Sequence, residues 1–266
     1  MEQIKIEGRI KLLSPLSHNE RTDGNYTSFR RLSIFLGGEE IRVPVLSGNA
    51  IRGILRRVLM GDMLRSIGVD VKDISDNAYW ILFCGGRLKK GEQRGKPVIT
   101  PSDLREAIPP LSLLGGAVLQ RIMPGKLISR MGIPITKETT ELTGIESDVS
   151  VYSLMEEIPY SRKDDLEEQS EETTDKAQMQ YHVECMRPGV ELHHGFSTKG
   201  ATDLEVACFW RGLRLLGESG YLGGLSAKGH GRFSWTYEYG DEGLYAAFLE
   251  DRKKDVVEMV DALVAA

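Results

Sequence analysis

The sequence predicts an α+β fold, a small mixed sheet with helices on one face, and three observations lead there. The chain opens on a strictly alternating apolar–polar stretch, and two amphipathic helical segments each stand next to β-like runs. Two polar stretches interrupt the apolar pattern without ending it, because strong core signals return after each. With 266 residues, 41% hydrophobic and 27% charged, the chain is long enough for one domain, residues 1–266, that carries insertions.

In the opening strand Ile4, Ile6, Ile10 and Leu12 share one face and Lys5, Glu7, Arg9 and Lys11 the other, with Gly8 interrupting the apolar row. The run SPLSHNERTDGNYTS predicts a polar loop over 14–28. FRRLSIFL and EIRVPVL, joined through Gly37-Gly38, read as a hairpin whose Arg30 and Arg31 point to opposite faces. Ser47 or Asn49 then caps a helix with apolar residues Ile51, Ile54, Leu55 and Val58 at i, i+3, i+4, i+7. Arg52 and Arg56 stand together on one flank of that stripe, and Arg57 lies towards the other.

Residues 61–115 form a helix-rich insertion with a basic loop, GRLKKGEQRGK, and 116–136 resume β character around Pro124-Gly125. A second insertion, 137–177, is acidic and poor in apolar residues. After it come the strand MQYHVECM, a turn RPG, and a helix capped by Asp203 with Leu204, Ala207, Cys208, Arg211 and Leu215 on one side. A glycine-dense stretch, GYLGGLSAKGHGRFSWTYEY, supplies a loop and a last strand, and an amphipathic helix bearing Val256, Val257, Val260, Leu263 and Val264 closes the chain. The order β, ββ, α, insertion, β, insertion, β, α, β, α fits a ferredoxin-like or RNA-recognition-like sheet.

Composition excludes several classes. No apolar run is long enough to span a membrane, and MEQIKIEGRI is too charged for a signal peptide, so the expectation is a soluble cytoplasmic protein. Cys84, Cys185 and Cys208 are odd in number and widely spaced, which fits neither a disulfide framework nor a zinc ribbon. The net charge of −5 hides an asymmetry: residues 1–135 carry 21 Lys and Arg against 13 Asp and Glu, and the remainder 13 against 26. Much of the acidic excess lies in KDDLEEQSEETTDK, residues 163–176. A cationic N-terminal half is compatible with nucleic acid despite the acidic average.

No GxxxxGK[ST], strand–GxGxxG–helix, HExxH or GxSxG motif occurs. His182, Cys185, His193 and His194 fall within thirteen residues, but the spacing matches no common zinc site, and His182 and Cys185 differ in strand parity. No metal and no cofactor are therefore expected. His18 and Asp23 in the 14–28 loop are the candidate catalytic residues, of a kind that serves acid–base or metal-assisted phosphodiester cleavage. The anion-binding candidates are the Ser47-Gly48-Asn49 corner at a helix N-terminus, with Arg52 and Arg56 one turn on, and the glycine loop around Lys228, His230 and Arg232. By these residues alone the chain is an RNA-binding protein, a ribonuclease, or an α+β enzyme whose glycine loops hold a small phosphate ligand.

RVPVLSGNAIRGILRR resembles the signature of the RAMP superfamily of CRISPR proteins, a strand ending in Pro, a small-residue corner and a helix opening with a cationic turn. GGLSAKGHGRF is similar to that superfamily's C-terminal glycine-rich loop, and LSLLGGAVLQRIMPGKLISRMGIPITKETTE to the middle segment of its backbone subunits, above all those of type IV effector complexes. The resemblance runs over nearly the whole chain in matching order. It implies a ferredoxin-like palm with helical additions and a long β-hairpin thumb, placed here within 137–177. It also implies a homo-oligomer: copies polymerising as a helical filament along the spacer of a guide RNA (crRNA), with other CRISPR effector subunits as partners and intervening bases left free for a complementary target. Sequence specificity then comes from base pairing, and the protein needs only phosphate and sugar contacts. On this chain those fall to Ser47, Gly48, Asn49, Arg52, Arg56, Lys228, His230 and Arg232, and to one of Arg30 and Arg31. In cleaving relatives an aspartate sits in the loop before the corner. Asp23 lies far from Pro44 for that role, and the best-aligned positions are Asn25 to Thr27. The resemblance thus implies a non-catalytic backbone subunit, with the alternative a superfamily endoribonuclease acting on target or precursor RNA through the 14–28 loop.

Overall fold

The computed structural model describes residues 4–88, 99–118, 121–162 and 179–263. In chain order β1 (Lys5–Leu12), β2 (Asn19–Asp23), β3 (Tyr26–Phe29), β4 (Arg31–Leu36) and β5 (Glu39–Pro44) precede the long helix α1 (Gly48–Ile67). Three shorter helices follow, α2 (Asp76–Cys84), α3 (Pro101–Ala107) and α4 (Pro109–Leu114), then the short strands β6 (Gly116–Val118), β7 (Arg121–Met123), β8 (Leu127–Ser129) and β9 (Ile133–Pro134). After α5 (Thr140–Thr143) come β10 (Met155–Arg162), β11 (Met179–Met186) and β12 (Glu191–Thr198). The chain closes with α6 (Asp203–Ser219), β13 (Phe233–Trp235), α7 (Gly243–Asp251) and α8 (Lys253–Ala262). The fold is α+β.

The largest sheet runs β13-β1-β12-β8, with β9 also on β12, and every pairing in it is antiparallel. Its apolar residues Ile10, Leu12, Leu192 and Phe196 share one core with Ile51, Leu55 and Leu59 of α1 and Phe209, Leu213 and Leu216 of α6. Each such side chain, fully buried, contributes roughly 1.5–3 kcal/mol. The two helices cross closely because Gly212 has no side chain; a Cβ there would lie 2.7 Å from Leu59. Of the expected side of α6, Ala207 and Cys208 are buried, but they join Val206, Phe209, Leu213 and Leu216 in the core, and not Leu204 and Leu215. Its cap is Thr202, one residue before the expected Asp203, in a capping box with Glu205.

Gly8 breaks the alternation of β1 for a packing reason. It pairs with His194 across β12, and the Tyr237 ring occupies the space its side chain would take, 2.8 Å from an added Cβ. Tyr237 Oη bonds His194 Nδ1 at 2.7 Å, and His194 Nε2 lies 3.1 Å from Ser129 Oγ. Burial pulls the His194 imidazole down to about 3, so it stays neutral in the native state. The unfolded chain gains its proton near pH 6.5, so stability is complete above that value and falls as pH drops towards 3. Between pH 7 and pH 5 the urea midpoint is expected to fall by the equivalent of roughly 2 kcal/mol on account of His194. His18 and His230, also depressed by burial, add to the trend. A His194→Met variant with an undiminished pH slope between 7 and 5 would refute the assignment.

The polar stretch 14–28 is not a loop. Residues Asn19–Asp23 and Tyr26–Phe29 form a hairpin that joins a second sheet, β10-β11-β3-β2, with β3 parallel to β11. The Gly37-Gly38 hairpin β4–β5 forms as expected, with both glycines at positive φ, +59° and +88°. A small second core unites Val43 and Val45 at its end with Val151 and Leu154. Helix α1 runs unbroken past residue 61, where the helical insertion was expected to begin.

Residues 137–154 are packed turns and the short helix α5, organised by buried Glu138, which accepts bonds from Ser150 Oγ and Val151 N, both at 2.8 Å. The extended hairpin arms are β10 and β11, paired from Met155↔Met186 to Arg162↔Met179. The acidic run 163–176 between them lies outside the described residues, as does most of the basic loop 86–96. Among the described residues no helix is long and apolar enough to cross a membrane.

Candidate nucleic-acid interface

Helix α1 begins at a built corner. Ser47, in extended backbone, accepts the Ala50 N–H on its Oγ at 3.2 Å, leaving the first amides of a 20-residue helix at its positive end. Gly48 is buried: a Cβ would lie 2.7 Å from the Arg130 carbonyl oxygen and closer still to that of Ser129. Asn49 is exposed. The Ser47 N–H donates to His18 Nε2 at 3.2 Å, while the His18 carbonyl accepts from Arg30 N at 2.9 Å and its ring meets Phe29 edge-on. Burial, with the Arg30 charge, holds His18 below the usual histidine range and hence as the neutral acceptor this bond requires.

The glycine loop closes on the residues just before His18. Gly224 N donates to the Ser17 carbonyl at 2.8 Å and Gly231 N to that of Pro15 at 2.7 Å. A side chain at Gly223 would strike the Ser17 carbonyl. Leu225, at φ 58°, is the one non-glycine residue at positive φ among those described, so strain is concentrated in this loop. Ser17 therefore carries the loop and His18 the corner, and the two sequence-predicted anion sites meet on consecutive residues.

Their side chains are committed as follows. Lys228 Nζ bonds Tyr181 Oη and lies 4.3 and 4.6 Å from the centroids of the stacked Tyr160 and Tyr181 rings, cross-strand partners in β10–β11. His230 is buried between Tyr160 Oη and Cys185 Sγ, the latter at 3.6 Å. Burial pushes the Cys185 thiol up to about 12. Arg232 is exposed, with its backbone tied to the 13–14 segment.

The two arginines expected beside the corner turn towards protein carbonyls. Arg52 Nη2 donates to Leu114 O at 2.7 Å. Arg56 reaches Leu114 O at 3.0 Å, Gly115 O at 2.6 Å and Leu82 O at 3.3 Å. They cap the C-terminal end of α4 and hold the end of α2, the place where a helix favours cations. Burial and the Arg52 charge draw Arg56 down to about 10, so it stays charged at neutral pH. Arg52 Nε is buried without a partner. Arg31 is paired bidentately with Glu184, one bond being 2.8 Å, and Glu184 also accepts the Phe29 N–H. Arg30, on the other face, is exposed.

Asp23 stands exposed at the end of β2, paired with Arg21 at 3.2 Å. His182 faces Glu157 at 2.6 Å and Cys185 faces His230 on the opposite side of β11, and His193 and His194 likewise diverge. Among the described residues no group of three or more His, Cys, Asp or Glu is placed to hold a metal.

Sequence reasoning missed His18 as an acceptor, the Tyr160–Tyr181 seat and Glu184. The hairpin in 14–28 carried its own signal, Asp23-Gly24 flanked by Thr and aromatic residues. No family model and no curated protein matches this sequence. Among solved structures the chain is similar to a chain of a Type IV-B CRISPR complex, with a TM-score of 0.62 and 23% identity, over 88% of this chain and 90% of that one. At that identity the likeness is one of fold.

Proposed function

We propose that the chain is a non-catalytic, guide-RNA-binding backbone subunit of a CRISPR ribonucleoprotein. Copies of it line the spacer of the guide, beside other effector subunits, and hold it open for pairing with a complementary target. The observation that carries this reading is the meeting of the Ser-Gly-Asn corner and the glycine loop on Ser17–His18. The β13-β1-β12-β8 order, with α1 leading to β8 and α6 to β13, supports a ferredoxin-like palm. The β10–β11 arms support a thumb, shifted from 137–177 to begin at residue 155. The fold likeness to a Type IV-B CRISPR complex chain supports a place in a CRISPR ribonucleoprotein.

The RNA backbone lies against Arg30, Asn49 and the free amides of the corner, with Lys228 and Arg232 along the glycine loop. Arg52 and Arg56 act one step back, by fixing α1 against α2 and α4. Binding without chemistry is the better reading because His18 Nε2, the nitrogen that would act as a base, already accepts the Ser47 N–H.

The test is affinity for single-stranded RNA as a function of salt. Log affinity should fall steeply with log salt, and each phosphate-binding cation removed should flatten the slope by roughly 0.7. Arg30→Gln with Arg232→Gln is expected to flatten it by about 1.4. A protein that stays an RNA-free monomer when offered RNA would overturn the proposal. Cleavage of complementary RNA lost in Asp23→Ala would overturn its non-catalytic part.

A further inference from the structure

We propose that copies of this chain join head to tail, with the aromatic outer face of α2 in one copy seated on α7 of the next. The inference rests on the reading that copies line a guide, and it names the surfaces through which they meet. Neither surface shares a residue with the corner or the glycine loop.

The α2 face is apolar and firmly seated. Tyr79 and Trp80 are each nearly half exposed, and Tyr79 stacks on Phe83, one turn on, with centroids 5.0 Å apart. Leu88 is 56% exposed and Ile122 71%. Ile122 stands opposite Ala117, which pairs in turn with Gly86, so it flanks the end of the same helix. Arg56 holds that end from beneath, through the Leu82 carbonyl. Arg87 lies over the Trp80 ring, 5.9 Å from its centroid, and has no carboxylate partner among the described residues. The only carboxylate on α2 is Asp76, in its first turn. Trp, Tyr and Arg carry much of the binding energy of protein interfaces, and an exposed cluster of them marks such a surface.

Helix α7 presents the complement. Leu244, Ala247 and Asp251 are exposed at i, i+3 and i+7, so an apolar knob, a small residue and a carboxylate share one stripe. Glu250 and Asp251 lie in the last turn, at the negative end of the helix dipole, where a carboxylate is disfavoured and a cation favoured. Neither makes a hydrogen bond or ion pair with a described residue, and the adjacent Arg252 is paired with Asp255. Seated on this stripe, Trp80 covers Ala247 beside Leu244, and Arg87 reaches Asp251. Two α2 faces would bring arginine to arginine, and two α7 faces carboxylate to carboxylate. The contact is therefore between unlike faces, and such a contact leaves a free face at either end for the next copy.

Sedimentation velocity of the full chain over a concentration series, without RNA, tests the contact. Association that grows with concentration is expected, weakened roughly thirtyfold in Trp80→Ala by the loss of one aromatic anchor. Arg87→Asp and Asp251→Arg should each weaken it about tenfold, and the double variant, which exchanges the two charges, should recover most of the loss. All three positions are exposed, so the variants keep their fold. A monomer at every concentration, or a double variant no stronger than the single ones, would overturn the proposal. So would intact association in Trp80→Ala together with weakened binding of single-stranded RNA, which would make the α2 face a base-stacking surface instead. The guide reading fails separately: a chain that associates with this charge-exchange pattern and binds no RNA would overturn that reading and leave the contact standing.

Discussion

Gly48→Ala is expected to cost about 3 kcal/mol of stability, as an overpacking change against an unyielding wall. The added Cβ would meet two backbone oxygens, those of Ser129 and Arg130, rather than a side chain that can turn away. That wall is fixed on both sides. Ser129 pairs with Phe196 in the main sheet and Arg130 N donates to Gly195 O at 2.9 Å. Leu46 and Gly132 exchange backbone bonds of 3.0 and 2.8 Å just before the corner. Alanine's helix propensity, worth at most about 1 kcal/mol over glycine, does not offset the clash. Gly53→Ala in the same helix supplies the control. A Cβ there lies 3.8 Å from its nearest neighbour, the flexible end of Arg57, so this variant should be as stable as wild type or slightly more so. Urea denaturation of the two variants side by side decides the matter. Equal midpoints would mean that the corner is not clamped as described. If the corner holds RNA, Gly48→Ala should also weaken RNA binding at low salt, since it displaces the amides themselves.

Much of the fold was legible because local patterns agree with the global packing. The alternation of β1, the Gly37-Gly38 turn and the Ile51–Leu55 stripe each read correctly from neighbours in sequence. In the 14–28 hairpin polar composition outweighs the Asp23-Gly24 signal. Its stability comes from pairing with β11, about 155 residues away, which no local pattern reveals. The cationic side chains of α1 follow the same rule. Spacing placed Arg52 and Arg56 on one flank of the helix, but not what faces that flank. The occupant is the carbonyl end of α4, roughly 60 residues on. The Gly8 interruption was visible as a flaw in a pattern, and only the position of Tyr237 gives it a reason.

Arg56→Met tests that division between positioning and contact, and should cost about 3 kcal/mol as well. Methionine approximates the aliphatic stem, so packing changes little, while the carbonyls of Leu82, Leu114 and Gly115 lose their donor. Leaving buried acceptors unpaired costs about 1–3 kcal/mol each, and Arg52 still reaches only one of the three. Arg56→Lys should recover only part of the loss, because one ammonium does not span acceptors at the ends of two helices as a planar guanidinium does. Arg30→Gln is the counterpart on the exposed face, expected to leave the urea midpoint within about 0.5 kcal/mol of wild type and to weaken RNA binding in a salt-dependent way. The two variants thus separate along different axes, one in stability and one in salt slope. If Arg56→Met instead kept the wild-type midpoint and flattened the salt slope, Arg56 would be a phosphate contact, and the carbonyl cap would carry no stabilising weight. The same measurement bears on the origin of the helix's charge. On the proposed reading, cations gathered behind a small-residue corner in an acidic chain serve two ends: Arg52 and Arg56 fasten the helix in place, and the exposed Arg30, between β3 and β4, is left for the RNA.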